Sequence, residues 1–156
     1  MHKKKKLERI VIGSAQFGLP YGISNENGKT KEEEVFLILN EAEKFGITSL
    51  DTSPSYGNSE EVLGKVGLKD WSIVSRLPPI PKLEDDIRDW IFRSVACSLE
   101  KLKVPFLQGL MMHRPFDLLG VNGERIYDSL LELKTEGLVK ELGISVYSPE
   151  EMILIT

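Results

Sequence analysis

At 156 residues, with 41% hydrophobic and 28% charged residues, the chain has the size and composition of one ordinary globular domain. Its net charge of -4 argues against nucleic acid as the main partner, which calls for a basic stripe. No run approaches the ~18 consecutive apolar residues of a membrane span. The single cysteine, Cys97, allows no internal disulfide, and the start lacks an apolar signal segment, so a cytoplasmic setting is expected.

Residues 1–8 read as a basic tail, with His2-Lys3-Lys4-Lys5-Lys6 solvated, and residues 9–156 as the domain. Arg9-Ile10-Val11-Ile12 is a short apolar strand ending at Gly13, followed by a Gly-rich loop. Thr30-Lys31-Glu32-Glu33 has the form of a capping box. Val35, Ile38, Leu39 and Ala42 then repeat at helical spacing up to a capping Gly46. Ile47 to Leu50 is a second strand running into Asp51, and Asn58-Ser59-Glu60-Glu61 restarts a helix that Gly67 closes. Trp71 to Ser75 is the third strand. A helix from about Leu83 to Leu102 follows, with Ile87, Trp90, Ile91, Val95, Leu99 and Leu102 on one stripe. Cys97 falls within that pattern and reads as a small core residue. Phe106 to Met112 is the fourth strand, leading to His113. A helix over 123–136 buries Ile126, Leu130 and Leu133, Glu141 to Val146 is the fifth strand, and Ser148-Pro149 opens a last helix.

Strands alternating with helices imply parallel pairing through right-handed crossovers. The strand ends Gly13, Asp51, Ser75, His113 and Ser145 are spaced by 38, 24, 38 and 32 residues, close to the ~31 per unit of an eight-unit barrel of ~250 residues. The expected architecture is a parallel (β/α)8 TIM-barrel type reduced to about five βα units. A complete five-stranded doubly wound sheet of flavodoxin type is the alternative. Against it, polar candidates gather at the C-terminal ends of strands in several different units, as in a barrel.

Among those candidates, Asp51 ends a strand and Tyr56 follows on the loop before a helix. A carboxylate and a phenol held on one strand-to-helix loop suit proton transfer to a carbonyl oxygen. Arg76 and His113 stand at the ends of the next two strands. Four pieces then occur in order: Gly13-Ser14-Ala15-Gln16-Phe17-Gly18, Asp51 to Glu60, Met112-His113-Arg114-Pro115, and Glu136 to Ser145. Together they resemble the N-terminal part of an aldo-keto reductase, from about Arg9 to the end of the chain.

The resemblance implies a barrel that moves a hydride between NADP(H) and an aldehyde or ketone, with an Asp-Tyr-Lys-His tetrad. Asp51, Tyr56 and His113 match three members. A phenol of pKa ~10 donates poorly at neutral pH, and a nearby cation held by a carboxylate lowers that pKa. His113 then orients the carbonyl. Where the family has Lys the chain has Arg76, which keeps the charge and can pair with Asp51 but is larger, planar and never deprotonated. A structural Asp51–Arg76 salt bridge is the plain alternative for that pair. The family commonly has Ser-Asn after strand five, against the nicotinamide carboxamide. Here it is Ser145-Val146, so Ser145 is a cofactor candidate, with Gly13, and Val146 offers no side-chain hydrogen bond.

Other signals point elsewhere. Gly13 to Gly18 has P-loop spacing, but Leu19 follows where Lys is required. No His/Cys/Asp/Glu set has metal-ligand spacing, which disfavours a sugar isomerase or metal-dependent hydrolase. Tyr21 and Trp71 are core or rim residues, while Gln16 and Phe17 are better pocket candidates. The resemblance places most contacts to the adenosine, its phosphate and the pyrophosphate in three further units, none of which lies in this sequence. Open strand edges then favour self-association. Two functions stay open: an oxidoreductase acting on a small carbonyl substrate, or a catalytically inactive half-barrel remnant or interaction module.

Overall fold

A computed structural model of the chain describes residues 10–82 and 84–155. The basic tail, Arg9 of the first strand, Leu83 at the expected start of the long helix, and Thr156 lie outside the described residues. In chain order the elements are β1 (Ile12–Gly13), α1 (Ala15–Gly18), α2 (Glu32–Lys44), β2 (Ser49–Asp51), α3 (Ser59–Val66), β3 (Ser72–Leu77), α4 (Ile87–Leu102), β4 (Leu107–Met112), a 3-10 turn (Pro115–Leu119), α5 (Gly123–Thr135), β5 (Val139–Ile144) and α6 (Pro149–Ile155).

The strands form one sheet in the order β1-β2-β3-β4-β5, every pair parallel. A doubly wound sheet reverses its strand order at a switch point. Here each strand adds beside its predecessor without reversal, which is barrel winding and excludes the flavodoxin alternative.

Side chains alternate between the two faces of a strand. In β3 the buried residues are Ile73, Ser75 and Leu77, and the half-buried ones are Ser72, Val74 and Arg76. The first set faces the helices. There Ile73 and Leu77 join Leu50, Leu110 and Met112 with Val62 and Leu63 of α3 and Ile87, Ile91 and Val95 of α4 in one core. Burying a side chain of this kind contributes about 1.5–3 kcal/mol, so the helix-covered face supplies most of the cohesion.

The departures from expectation have local causes. The capping box does not form: α2 starts at Glu32 with Lys31 as an N-cap that makes no side-chain cap. Thr30 instead donates its backbone N–H to the Gln16 carbonyl at 2.9 Å, closing the loop after β1. Part of that loop is helical, as α1, and Phe17 within it is a core residue rather than a pocket wall. β3 runs on to Leu77, because Leu77 still has a place in the core. β5 starts earlier than expected, at Val139, whose side chain is fully buried. Cys97 is exposed, not core: the inward face of α4 is Ile87, Ile91, Val95, Ser98 and Leu102, and Cys97 turns away from it. Tyr21 is exposed, and Trp71 packs against the core edge. Gly46 caps α2 in the left-handed region as expected, with φ 76°.

Candidate active site

Register and alternation together collect the site. Gly13 pairs with Asp51, and Asp51 with Val74, so Gly13, Asp51 and Arg76 share one face of the sheet. Arg76 pairs with Met111, and Met111 with Gly143. His113 and Ser145 follow those two residues by one alternation, at the ends of β4 and β5. The Ser145 N–H still donates to the Met112 carbonyl at 3.0 Å, extending the ladder past Ile144. All five strand-end candidates therefore stand at the same end of the sheet, with Gly13, Asp51 and Arg76 on the face turned away from α3 and α4.

Asp51 and Arg76 are in direct contact. Arg76 Nη1 lies 2.8 Å from Asp51 Oδ1, and it donates to Oδ2 at 3.0 Å and to the Thr52 carbonyl at 3.2 Å. The Oδ1 contact is ionic without hydrogen-bond alignment, so that buried oxygen has no aligned donor among the described residues. The side chains keep 14% and 27% of their exposure, enough shielding to make this pair stronger than the surface bridges elsewhere on the chain. The Arg76 guanidinium carbon sits 5.7 Å from the centre of the Tyr56 ring.

Tyr56 is held by its backbone. Its N–H donates to the Ser53 carbonyl at 3.0 Å, and its carbonyl accepts from the Ser59 N–H at 3.1 Å. Two glycines allow the close approach that seats it. A Cβ on Gly18 would lie 1.7 Å from the Tyr56 carbonyl oxygen, and one on Gly57, whose φ is 60°, would lie 2.4 Å from the Gly18 carbonyl. Only residues without a Cβ fit both positions. The Gly13-to-Gly18 segment has P-loop spacing, but Gly18 serves here to let two loops touch.

The expected electrostatics of Tyr56 need a correction. Arg76 does pull the phenol pKa down, but burial pushes it up by more, and Asp51, Tyr21 and Tyr147 add to the rise. The net shift is upward. The cation offsets desolvation rather than producing an acidic phenol.

His113 is half-buried, and its Nδ1 is buried without a hydrogen-bond partner among the described residues. A cavity of about 250 Å³ lies apart from these groups, between the β3–α4 loop, the 3-10 turn and the start of α5, with Ile87 and Ile126 of the helix-side core in its wall. No described residue hydrogen-bonds the Ser145 hydroxyl, and a Cβ on Gly13 would meet nothing within 4 Å. The ends of β1, β4 and β5 thus have polar atoms and space with which a cofactor could be held. Val146 supplies no partner of its own. No group of three or more His, Cys, Asp or Glu that could hold a metal occurs among the described residues.

The sequence did not flag the polar layer beneath the loop. Ser59 Oγ donates to the Ser14 carbonyl at 3.0 Å and lies 3.5 Å from Thr52 Oγ1. Ser75 Oγ donates to Glu60 Oε1 at 3.1 Å. Glu60 is only 2% exposed, although an acid in the first turn of a helix reads as a solvent-facing charge. Burial pushes its carboxyl pKa up, against the opposing pull of Ser75, Ser98 and Lys101. The available signal was its place next to Ser59 in a segment already picked out for its chemistry.

Comparisons with known proteins identify the family. The model of the Aldo/keto reductase family matches residues 9–155. Aldo-keto reductase YhdN of Bacillus subtilis is 29% identical, over 92% of this chain and 45% of its own length. Methylglyoxal reductase DkgA of Escherichia coli is 31% identical, over 74% of this chain and 42% of its own. Among solved structures, a Pseudomonas aeruginosa protein assigned to the aldo-keto reductases superposes with a TM-score of 0.72 at 32% identity, covering 86% of this chain and 54% of that one. The chain thus spans about half the length of the relatives it matches. With its five parallel βα units and its family match from end to end of the described sheet, the chain belongs to the aldo-keto reductase family.

Proposed function

We propose that this chain carries the proton-transfer end of an NADP(H)-dependent oxidoreductase site acting on a small aldehyde or ketone, with Tyr56 as proton donor. The observation that carries the reading is the Asp51–Arg76 pair against the Tyr56 ring, at the sheet end where β4 and β5 lead to His113 and Ser145. The E. coli relative is a methylglyoxal reductase, which favours a small carbonyl compound as substrate.

The chemistry follows from the environment of the phenol. Burial keeps Tyr56 protonated at neutral pH, so the donor is loaded. A carbonyl oxygen seated against its hydroxyl receives that proton as negative charge develops on the oxygen. The phenolate left behind faces the Arg76 guanidinium, which Asp51 holds in place. Arg76 stays charged throughout, so it acts as a fixed counter-ion and not as part of a proton relay. His113 directs the carbonyl oxygen. NADPH, when bound, supplies the hydride to the carbonyl carbon. Ser145 and the open space over Gly13 would hold its nicotinamide end.

Two further aspects belong to this reading. The exposed thiol of Cys97 suits a reducing, cytoplasmic compartment. No helix among the described residues is long and apolar enough to cross a membrane. Among the described residues the outer strands β1 and β5 each pair on one side only, and Ile10 and Val11 beside β1 are exposed, so a second copy would find open edges there.

The test is a titration of the chain with NADPH followed by cofactor fluorescence, then turnover of methylglyoxal. Saturable binding with turnover that disappears in Tyr56→Phe is the expected result. Absence of binding at millimolar NADPH overturns the reading for this chain and assigns it to a scaffold without turnover. Sedimentation velocity measures the self-association.

A further inference from the structure

Glu60 is a carboxyl buried without a cation. It is the second residue of α3 and only 2% exposed, in a class of side chain almost never buried unless paired. The nearest ammonium group, that of Lys101, is bonded instead to the neighbouring Glu61 at 2.9 Å. What Glu60 has is Ser75, whose hydroxyl donates to Oε1 at 3.1 Å, with Ser98 of α4 also facing it. Its second oxygen, Oε2, is buried with no hydrogen-bond partner among the described residues. Leaving such an atom unpaired is destabilising, so packing alone would favour an apolar side chain here.

The position of the contact says what it does. Ser75 precedes Arg76 in β3, and Glu60 follows Ser59, whose N–H holds the Tyr56 carbonyl at 3.1 Å. A short path therefore runs from the Tyr56 backbone through Ser59 and Glu60 to Ser75 and the Arg76 backbone. It crosses from α3 to the sheet on the helix-covered side. On the other side of the sheet the same two residues meet again, where the Arg76 guanidinium lies over the Tyr56 ring. The two links close a loop.

We propose that Glu60 is a positioning residue: through its bond to Ser75 it fixes the Tyr56-bearing loop against the strand that carries Arg76. This rests on the proposed role of Tyr56 and Arg76 but can be read without turnover. A carbonyl acceptor for the Ser75 hydroxyl is what the role needs, and a glutamine supplies one. A leucine of similar size fills the space without accepting. Ser75→Ala removes the donor and leaves the carboxyl in place.

The experiment is solution NMR of the full chain, reading nuclear Overhauser contacts between the Tyr56 ring and the Arg76 side chain in the wild type, Glu60→Gln, Glu60→Leu and Ser75→Ala. The expected result is that the contacts persist in Glu60→Gln and vanish in Glu60→Leu and Ser75→Ala while far-UV circular dichroism is unchanged. A role confined to stability would lower the melting temperature and leave those contacts intact. Persistence of the contacts in folded Glu60→Leu or in Ser75→Ala overturns the proposal, and so does their loss in Glu60→Gln. Should Glu60→Leu fail to fold, Ser75→Ala decides alone. Where the wild type turns over carbonyl substrate, the two disruptive variants lose kcat by up to about 100-fold, the scale of a 1 Å misplacement. Absence of wild-type turnover counts against the proposed function and leaves the contact measurement standing.

Discussion

The two faces of the five-stranded sheet are built on opposite terms. On the helix-covered face, Leu50, Ile73, Leu77, Leu110 and Met112 are all within a few percent of full burial, and the polar intruders are Ser75 and Glu60, joined by one hydrogen bond that leaves Glu60 Oε2 unpartnered among the described residues. On the other face, Asp51, Val74, Arg76 and Met111 are only half-buried, and the polar atoms there outnumber their partners. One strand, β3, supplies both: Ile73, Ser75 and Leu77 to one side, Val74 and Arg76 to the other. Stability is concentrated where water is excluded. Chemical capacity is concentrated where hydrogen-bonding groups are left free for a ligand, and a site cannot be fully satisfied by its own protein and still bind something else.

The largest test of this division is chemical. Tyr56→Phe removes the proton donor from the open face and is expected to cut kcat for carbonyl reduction by about 10²–10⁴-fold, with the urea midpoint unchanged. A fall in stability comparable to the fall in rate would erase the distinction between the faces.

The next test compares neighbours in one strand. Leu77→Ala on the covered face is expected to destabilise by about 2–5 kcal/mol. Val74→Ala, truncated on the open face, is expected to cost about 1 kcal/mol or less, near the centre for ordinary substitutions. Urea denaturation of both variants reads the difference, and equal losses would mean that the open face is packed as tightly as the covered one.

A smaller effect concerns the phenol. Arg76 lowers the Tyr56 pKa and Asp51 raises it, with burial the dominant upward influence. Arg76→Met is therefore expected to move the Tyr56 titration to higher pH, and Asp51→Asn to lower pH. Ultraviolet difference titration of the phenolate measures both, and a common direction would show that burial changes overwhelm the charges.

The smallest effect sharpens the boundary between the faces at Glu60. Its carboxyl pKa is raised by burial on folding, against the pull of Lys101 and with a push from Glu61. The folded state thus binds this proton more tightly than the unfolded chain does. The associated stability is fully present below the unfolded carboxyl pKa and is lost as pH rises through the folded value. Glu60→Gln cannot ionise, so its melting temperature should exceed that of the wild type increasingly as pH rises through that window. The two should converge in acid. A constant offset across pH would mean that Glu60 does not titrate within the folded protein.

Much of the covered face was legible in the sequence because hydrophobic burial leaves a periodic trace. The stripe on α4, the cores of α2 and α5, and the strand-helix rhythm follow from where apolar residues recur. Strand ends were less legible. β3 extends to Leu77 and β5 starts at Val139 because tertiary contacts, not local sequence, decide how far a ladder runs. Cys97 looked apolar enough for the core, but its angular position on α4 turns it outward. The capping box over 30–33 was outcompeted by a loop-closing bond from Thr30 to Gln16, a contact no local pattern reveals.

By itself the sequence determined the family, the parallel βα winding and the identity of the groups at the strand ends, because motif residues and apolar periodicity are properties of the chain read in one dimension. Only the tertiary structure decided which of those groups meet. Asp51 touches Arg76 because β2 and β3 pair in the register Asp51 with Val74, which puts both side chains on one face. Tyr56 joins them because Gly18 and Gly57 let two loops approach closer than any Cβ would permit. Glu60 belongs to the covered side because α3 turns it toward Ser75. Register, close approach and burial depend on residues far apart in sequence, and they turn a list of reactive side chains into a site.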